Sequence, residues 1–346
     1  MFKENLKNCI LGTIDSSIAQ LELLKTFTLE STPHECVLRN DVIALYRYTP
    51  IVQQQLTRPL LIIFSQINRP YILDITQQCS FIQKLLAQGI VVYLLEWQEN
   101  NEKNLPLLMH DYITIHIKQS VDYIKKNHRL RKINLLGICQ GGLYSLVYSA
   151  LYQHSIKNLL LAGTPIDFHT TDSTISNLIK HIDFNLMAQL YPIIPGLLVT
   201  KFFIGLRPFT LLGKKYLKFI QQNANEAQLQ RFLSVEKWIY DNPDQAGSIF
   251  YEFINKFYLQ NSLFEGSLTV GQQKINLENL TMPILNIASE NDSIVPLSST
   301  IALKKLISPS KYYEHVVSEG HIGMFIQSRK QDKLSLHISN WLKQHD

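Results

Sequence analysis

Cysteine is scarce and scattered in this chain. The 346 residues hold four, Cys9, Cys36, Cys79 and Cys139, with no CxxC pair and no scaffold-like spacing. A disulfide framework and a zinc or other metal site are therefore not expected, and a reducing cytoplasm is the natural setting. Charge is also sparse, at 18% of residues against 46% hydrophobic, the balance of a folded globular protein and not of a disordered one. Basic residues gather only in "HRLRK" (His128–Lys132), too short a cluster to argue for a nucleic-acid partner. The net charge of +5 is otherwise spread along the chain and is a mild aid to capturing an anionic ligand such as a CoA ester. The first twenty residues lack the apolar core of a signal peptide, and no uncharged apolar stretch reaches membrane-spanning length. The expectation is a soluble protein, at most peripheral to a hydrophobic surface. Repeats and low-complexity segments are absent as well.

What is present is alternation. The first thirty or so residues read as a mainly helical arm, and "ECVLRNDVIALYRY" then splits around Arg39–Asn40–Asp41 into two β-rich runs, as in an antiparallel hairpin. "PLLIIFS" (Pro59–Ser65) is a continuous apolar run of the kind that forms a strand covered on both faces. Ile75, Cys79, Ile82, Leu85 and Leu86 follow at helical spacing, with Gly89 placed to stop that helix. "IVVYLLEW" is the next strand, and Ile113, Ile117, Val121 and Ile124 mark the next helix. "INLLG", a helix stripe from Leu143 to Leu151, and the strand "NLLLAGTP" continue the pattern. It fails between about Ile166 and Leu280, a stretch rich in aromatics and broken by prolines, and resumes with "MPILNIAS", a helix at Ile301–Ile307, "KYYEHVV" and a closing helix through Trp341. Such alternation predicts a mostly parallel sheet with helices on both faces. The expected parts are an N-terminal arm (1–34), an α/β core in two pieces (35–167 and 279–346), and an inserted, mainly helical cap (168–278).

One corner of this pattern carries chemistry. Gly137–Ile138–Cys139–Gln140–Gly141 fits the G-x-S-x-G nucleophile elbow with cysteine in place of serine. The glycines are a steric need: side chains two positions either side of the nucleophile collide with the neighbouring strand and helix. The fold built around such an elbow demands the chain order nucleophile, acid, histidine. Asp292, in "ASENDSIVP", and His321, in "SEGHIGMF", each follow a predicted strand in that order. His321 would take the proton of Cys139, and Asp292 would orient and stabilise the imidazolium. The oxyanion of the intermediate needs two backbone N–H donors. One is expected at Gln140, the other near Ile67 or Asn68 in "SQINRPYILD". Sulfur suits acyl transfer, because a Cys thioester exchanges with a CoA thioester at nearly equal free energy and stays activated for a second nucleophile.

These residues resemble the catalytic subunit of class III polyhydroxyalkanoate synthases, within the α/β-hydrolase superfamily. "INRPYILD", "LLGICQGG", "TPIDFHT" (Thr164–Thr170), "EKWIYDNPDQAG" (Glu236–Gly247), "NLTMPILNI" (Asn279–Ile287) and "GHIGMF" (Gly320–Phe325) are similar to that family's landmarks, from about Cys36 to Trp341. The resemblance implies the α/β-hydrolase fold and polymerisation of (R)-3-hydroxyacyl-CoA into polyester. It makes Cys139 the acylated nucleophile, His321 the base and Asp292 its partner. It implies no cofactor, since the CoA thioester is the substrate. It further implies a small non-catalytic partner subunit, dimerisation or hetero-oligomerisation, and a cytoplasmic, granule-associated location. Ser293 departs from the histidine that many members carry after the acid. Two other readings stay open: a Cys-nucleophile hydrolase or thioesterase of the same fold, and a catalytically silent granule-binding subunit. In the cap, the apolar stretch Phe184–Phe209 reads either as self-packing core or as a mobile lid that excludes water.

Overall fold

The computed structural model describes residues 32–50, 52–53, 55–99, 107–184, 186–187, 191–206, 215–216, 219 and 225–346. The helical arm expected before residue 32 lies outside them, as does part of the apolar stretch 184–209.

Eight strands form the central sheet: β1 (Glu35–Arg39), β2 (Ile43–Tyr48), β3 (Leu60–Ile63), β4 (Val92–Trp97), β5 (Ile133–Ile138), β6 (Ile156–Ala162), β7 (Ile284–Ser289) and β8 (Tyr312–Val317). Their spatial order is β1-β2-β4-β3-β5-β6-β7-β8. Only the β1/β2 and β2/β4 pairings are antiparallel. The β1–β2 turn forms because Asn40 Oδ1 accepts the amides of Val42 and Ile43, both at 2.9 Å, a side chain standing in for a backbone turn acceptor. The swap of β3 and β4 puts β3 beside β5, in register from Leu60↔Asn134 to Ile63↔Gly137. That pairing delivers the loop after β3 to the corner after β5.

Residues alternate between the two faces of β5. Leu135 belongs to one core cluster and Leu136 to the other, and both are fully buried; each such side chain contributes roughly 1.5–3 kcal/mol. Helices α1 (Phe81–Ala87), α2 (Lys118–His128), α3 (Gln140–Leu151) and the C-terminal helix Ser328–Gln344 cover the sheet.

Two helix boundaries differ from the periodicity reading. Ile75 and Cys79 are not helical: Asp74–Thr76 and Cys79–Ser80 pair as a small antiparallel ribbon. Thr76 Oγ1 accepts the Cys79 amide, and Ser80 Oγ accepts the Gln83 amide as an N-cap, so α1 starts only at Phe81. Gly89, at φ 79°, does end it. The helix expected at Ile301–Ile307 instead begins at Leu297, directly after Pro296, and tightens into a 3₁₀ turn over Ala302–Lys305.

Between β6 and β7 the described chain is chiefly helical: the short helix Thr174–Ile179, α4 (Gly196–Leu206), α5 (Glu226–Tyr240) and α6 (Gly247–Phe253), the last continuing into π-helical turns to Leu259. A two-residue ribbon, Ile193–Ile194 with Gln245–Ala246, ties this region together. Glycine is required where its backbones meet, since a Cβ on Gly196 would stand 2.0 Å from Asn242 O. Ile175, Ile179, Ile194, Val199, Tyr251 and Ile254 form a core separate from the two that flank the sheet.

Candidate active site

The corner between β5 and α3 is strained as an elbow should be. Cys139 has φ 55° and ψ −124°, a conformation that costs a non-glycine residue on the order of 1–3 kcal/mol and persists only where its surroundings enforce it. They do so here: Cys139 N–H donates to Ala162 O at 3.0 Å, and Gly142 N–H donates to Cys139 O at 2.9 Å. A Cβ on Gly137 would lie 2.4 Å from Gly142 Cα, and one on Gly141 would lie 2.3 Å from Ile63 O. The turn is that tight because α3 must pack down between β3 and β5.

The loops after β7 and β8 bring the other two residues to this corner. Asp292 Oδ1 accepts the amides of Ile294 and Val295 at 2.8 and 2.9 Å, while Oδ2 lies 2.5 Å from His321 Nδ1. The two side chains are 1% and 8% exposed. The imidazole rests on Gly163, where a Cβ would come within 3.0 Å of His321 Cε1. Its loop is fixed from beneath, with Ser289 donating to Glu319 O and Lys330 paired to the Glu319 carboxylate. Burial alone would push the His321 pKa down. The Asp292 charge, then the nearby Cys139 sulfur, and the hydrogen bond to Asp292 outweigh it and hold the pKa well above the usual value. A histidine so placed favours the imidazolium.

The expected oxyanion donors divide. Gln140 opens α3, so its N–H is among those with no partner inside the helix. The loop amides are occupied: Ile67 N–H donates to Ser65 Oγ at 2.9 Å and Asn68 N–H to Asn242 Oδ1 at 3.0 Å. The Gln140 side chain also has a role that the elbow motif does not reveal. Its Oε1 accepts from Gln66 N–H at 3.0 Å and Ser65 Oγ at 3.2 Å, stapling the loop after β3 to the elbow.

The region after β6 closes over this corner. Trp238 Nε1 donates to Arg69 O, Gln245 Nε2 to Gln66 O, and Tyr71 OH to Asp241 Oδ2. The "KWIYDNPDQAG" stretch therefore touches the loop after β3 directly. Under it lies a cavity of about 240 Å³, lined by Gln66, Ile67 and Gln140 from the core and by Phe202, Phe250 and Tyr258 among the apolar side chains above. Tyr258 was not marked by any motif. Burial first, and then the nearby Cys139 sulfur, push its phenol pKa up, so it meets the site as a neutral hydroxyl.

A mostly parallel sheet in this order, with a strained nucleophile corner and acid and base loops after β7 and β8, defines an α/β-hydrolase-fold protein. Residues 94–327 match the family described as alpha/beta hydrolase fold, and residues 13–85 match the N-terminal region of poly-beta-hydroxybutyrate polymerase. Solved structures of a membrane phospholipase A (TM-score 0.53, 14% identity, 99% of this chain and 94% of that one) and of the Paleococcus ferrophilus monoacylglycerol lipase (TM-score 0.53, 14% identity, 87% and 99%) share the fold. Much closer in sequence are poly(3-hydroxyalkanoate) polymerase subunits PhaC. That of Allochromatium vinosum is 38% identical, with 90% of this chain and 89% of the relative covered; that of Thiocystis violacea is 37% identical, over 90% and 88%. The subunit of a Synechocystis strain is 36% identical, over 90% and 85%. The chain belongs to the poly(3-hydroxyalkanoate) polymerase family, whose members are polyester synthases acting by acyl transfer.

Proposed function

We propose that this chain polymerises (R)-3-hydroxyacyl-CoA through a covalent thioester on Cys139. The observation that carries the reading is Cys139 on its strained elbow, its N–H on Ala162 O, with the His321 ring that Asp292 holds at 2.5 Å resting on the adjacent Gly163. His321 takes the thiol proton, and the thiolate attacks the carbonyl of the CoA thioester. The tetrahedral intermediate collapses by breaking the bond to the CoA sulfur, which leaves with the proton from the imidazolium. A 3-hydroxyl then attacks the acyl-cysteine with His321 as base, forming an ester and releasing the cysteine sulfur. No cofactor is called for, because the thioester brings its own activation. The apolar cavity beside Gln140, the residue after Cys139, would receive the acyl chain and limit the access of water, the competing nucleophile.

Relatives that carry the word subunit in their names support a second, non-catalytic chain as partner, with a dimer or hetero-oligomer as the working form. Among the described residues no helix is long and apolar enough to cross a membrane. Association with the surface of a polyester granule in the cytoplasm is the setting that fits the product.

The test is incubation with 3-hydroxybutyryl-CoA, following CoA release, acyl-enzyme by mass spectrometry and product size. The expected results are an acyl group on Cys139, high-mass polyester, and no CoA release by Cys139→Ala. Free monomer acid as the sole product would assign a thioesterase instead, and turnover by Cys139→Ala would overturn the covalent mechanism.

A further inference from the structure

Three consecutive amides follow β3, and each already donates to an oxygen of this chain's own side chains. Gln66 N–H is held by Gln140 Oε1, Ile67 N–H by Ser65 Oγ, and Asn68 N–H by Asn242 Oδ1. The first two acceptors sit beside the elbow on the core. The third belongs to the cap, 174 residues further along the chain. An amide engaged in this way is not available to a developing oxyanion, so the loop half of the hole is closed in this conformation.

The cap acceptor is itself firmly aimed. Asn242 Nδ2 donates to Thr200 Oγ1 on α4 at 2.8 Å, which leaves Oδ1 as the atom facing Asn68. The start of α4 is packed on the same residue, where Gly196 alone allows the approach to Asn242 O. Asn68 has φ 64°, a left-handed conformation that asparagine tolerates better than most residues but that still needs support. The neighbouring cap bonds, from Gln245 to Gln66 O and from Trp238 to Arg69 O, hold the rest of the loop in register with that one.

We propose that Asn242 is a latch, a positioning residue that keeps the Asn68 amide withdrawn until the cap segment Asp241–Gln245 lifts and releases it to complete the oxyanion hole. Cap movement and catalytic competence are thereby the same event. An empty enzyme keeps an incomplete hole, and acylation becomes fast only when α4 and the segment it grips are displaced together. The inference rests on the proposed acyl transfer at Cys139.

Two probes on the full chain separate the latch from general effects. Iodoacetamide alkylates a thiolate without forming an oxyanion, whereas 3-hydroxybutyryl-CoA acylates it through one. Asn242→Ala removes the acceptor. It is expected to raise the pre-steady-state acylation rate at least threefold, a fraction of the roughly 10²–10³ that one oxyanion donor is worth, with alkylation unchanged. Asn242→Asp keeps the acceptor and adds charge, so it should slow acylation, again with alkylation unchanged. Thr200→Val leaves Oδ1 in place but unaimed and should fall between wild type and Asn242→Ala, covering the case in which Asn242→Ala folds poorly. A wild type that acylates while Asn242→Ala and Thr200→Val acylate no faster overturns the latch. So do variants whose acylation and alkylation rates move in parallel. Normal alkylation with no acylation in any variant overturns the acyl-transfer reading itself, so the two failures look different.

Discussion

Asp292 divides its carboxylate between two tasks: Oδ2 lies 2.5 Å from His321 Nδ1, and Oδ1 is locked by the amides of Ile294 and Val295. The carboxylate is thus aimed before any substrate arrives, and its charge lifts the His321 pKa against the opposing effect of burial. Asp292→Asn keeps the shape and removes the charge. Acyl transfer should fall on the order of 10³–10⁴-fold, the scale of that substitution in triads. The His321 pKa should drop, so that the imidazolium disappears at lower pH than in the wild type. Titration of the His321 ring by NMR and of thiolate absorbance against Cys139→Ala checks both, and an unmoved His321 titration would contradict the electrostatic account.

The elbow predicts an asymmetric set of glycine variants. Gly137→Ala and Gly141→Ala each drive a Cβ into backbone, at 2.4 Å from Gly142 Cα and 2.3 Å from Ile63 O. Each should cost about 1–3 kcal/mol or more, as overpacking does where the backbone cannot yield. Gly142→Ala meets a side chain instead, Thr164 Oγ1 at 1.8 Å, and that hydroxyl is buried with no hydrogen-bond partner. Gly142→Ala combined with Thr164→Ala should therefore recover part of the loss, whereas Thr164→Ala should rescue neither Gly137→Ala nor Gly141→Ala. Urea midpoints decide it.

Much of this was legible in the sequence, for a physical reason. Buried parallel strands must be continuous apolar runs, and the corners after β5, β7 and β8 are where Cys139, Asp292 and His321 fall by chain order alone. The misread boundary at Asp74–Ser80 arose because Ile75 and Cys79 satisfy helical spacing, while the deciding bonds come from Thr76 and Ser80 side chains. The loop after β3 is tied to the elbow through the Gln66 amide on Gln140 Oε1, but the partners of the Ile67 and Asn68 amides could not be foreseen. Asn242 lies in another subregion, and Ser65 acts through a two-residue turn whose conformation no pattern encodes. Tyr258 likewise reaches the site only because α6 continues into a π-helical turn.

The cap strut that carries Trp238 depends on one buried carboxylate. Glu236, its side chain 2% exposed, takes Lys215 Nζ at 2.7 Å and Tyr216 OH at 2.5 Å. Lys215→Met should cost about 3–5 kcal/mol by stranding that charge. Adding Glu236→Gln should return much of the loss, because the neutral amide needs no counter-ion. A double-mutant cycle measured by chemical denaturation gives the coupling. If Lys215→Met proves silent, the pair is not what anchors α5.

A second histidine device works in the opposite sense from His321. On β8 and the C-terminal helix, the His315 and His337 rings stack at 3.9 Å and 16°. Burial lowers both pKa values, and for His315 the neighbouring His337 lowers it further. Below the unfolded value of about 6.5 the unfolded chain binds protons that the folded stack refuses, so this pair loses stability as pH falls. His321, with its folded pKa raised, contributes stability that is complete below about 6.5 and fades as pH climbs through the raised value. The stack should thus contribute to the loss of stability on the acid side, beside His116 and His128, whose pKa values burial also lowers, and the site should act on the alkaline side. His337→Leu removes one ring nitrogen that is buried without a partner and leaves His315 free of a cationic neighbour. The variant should flatten the fall in melting temperature between about pH 6.5 and 5, while leaving the alkaline limb where it was. His321→Gln should do the reverse. A His337→Leu profile that runs parallel to the wild type over the acid range would show that the stack stays solvated and carries no pH dependence of its own.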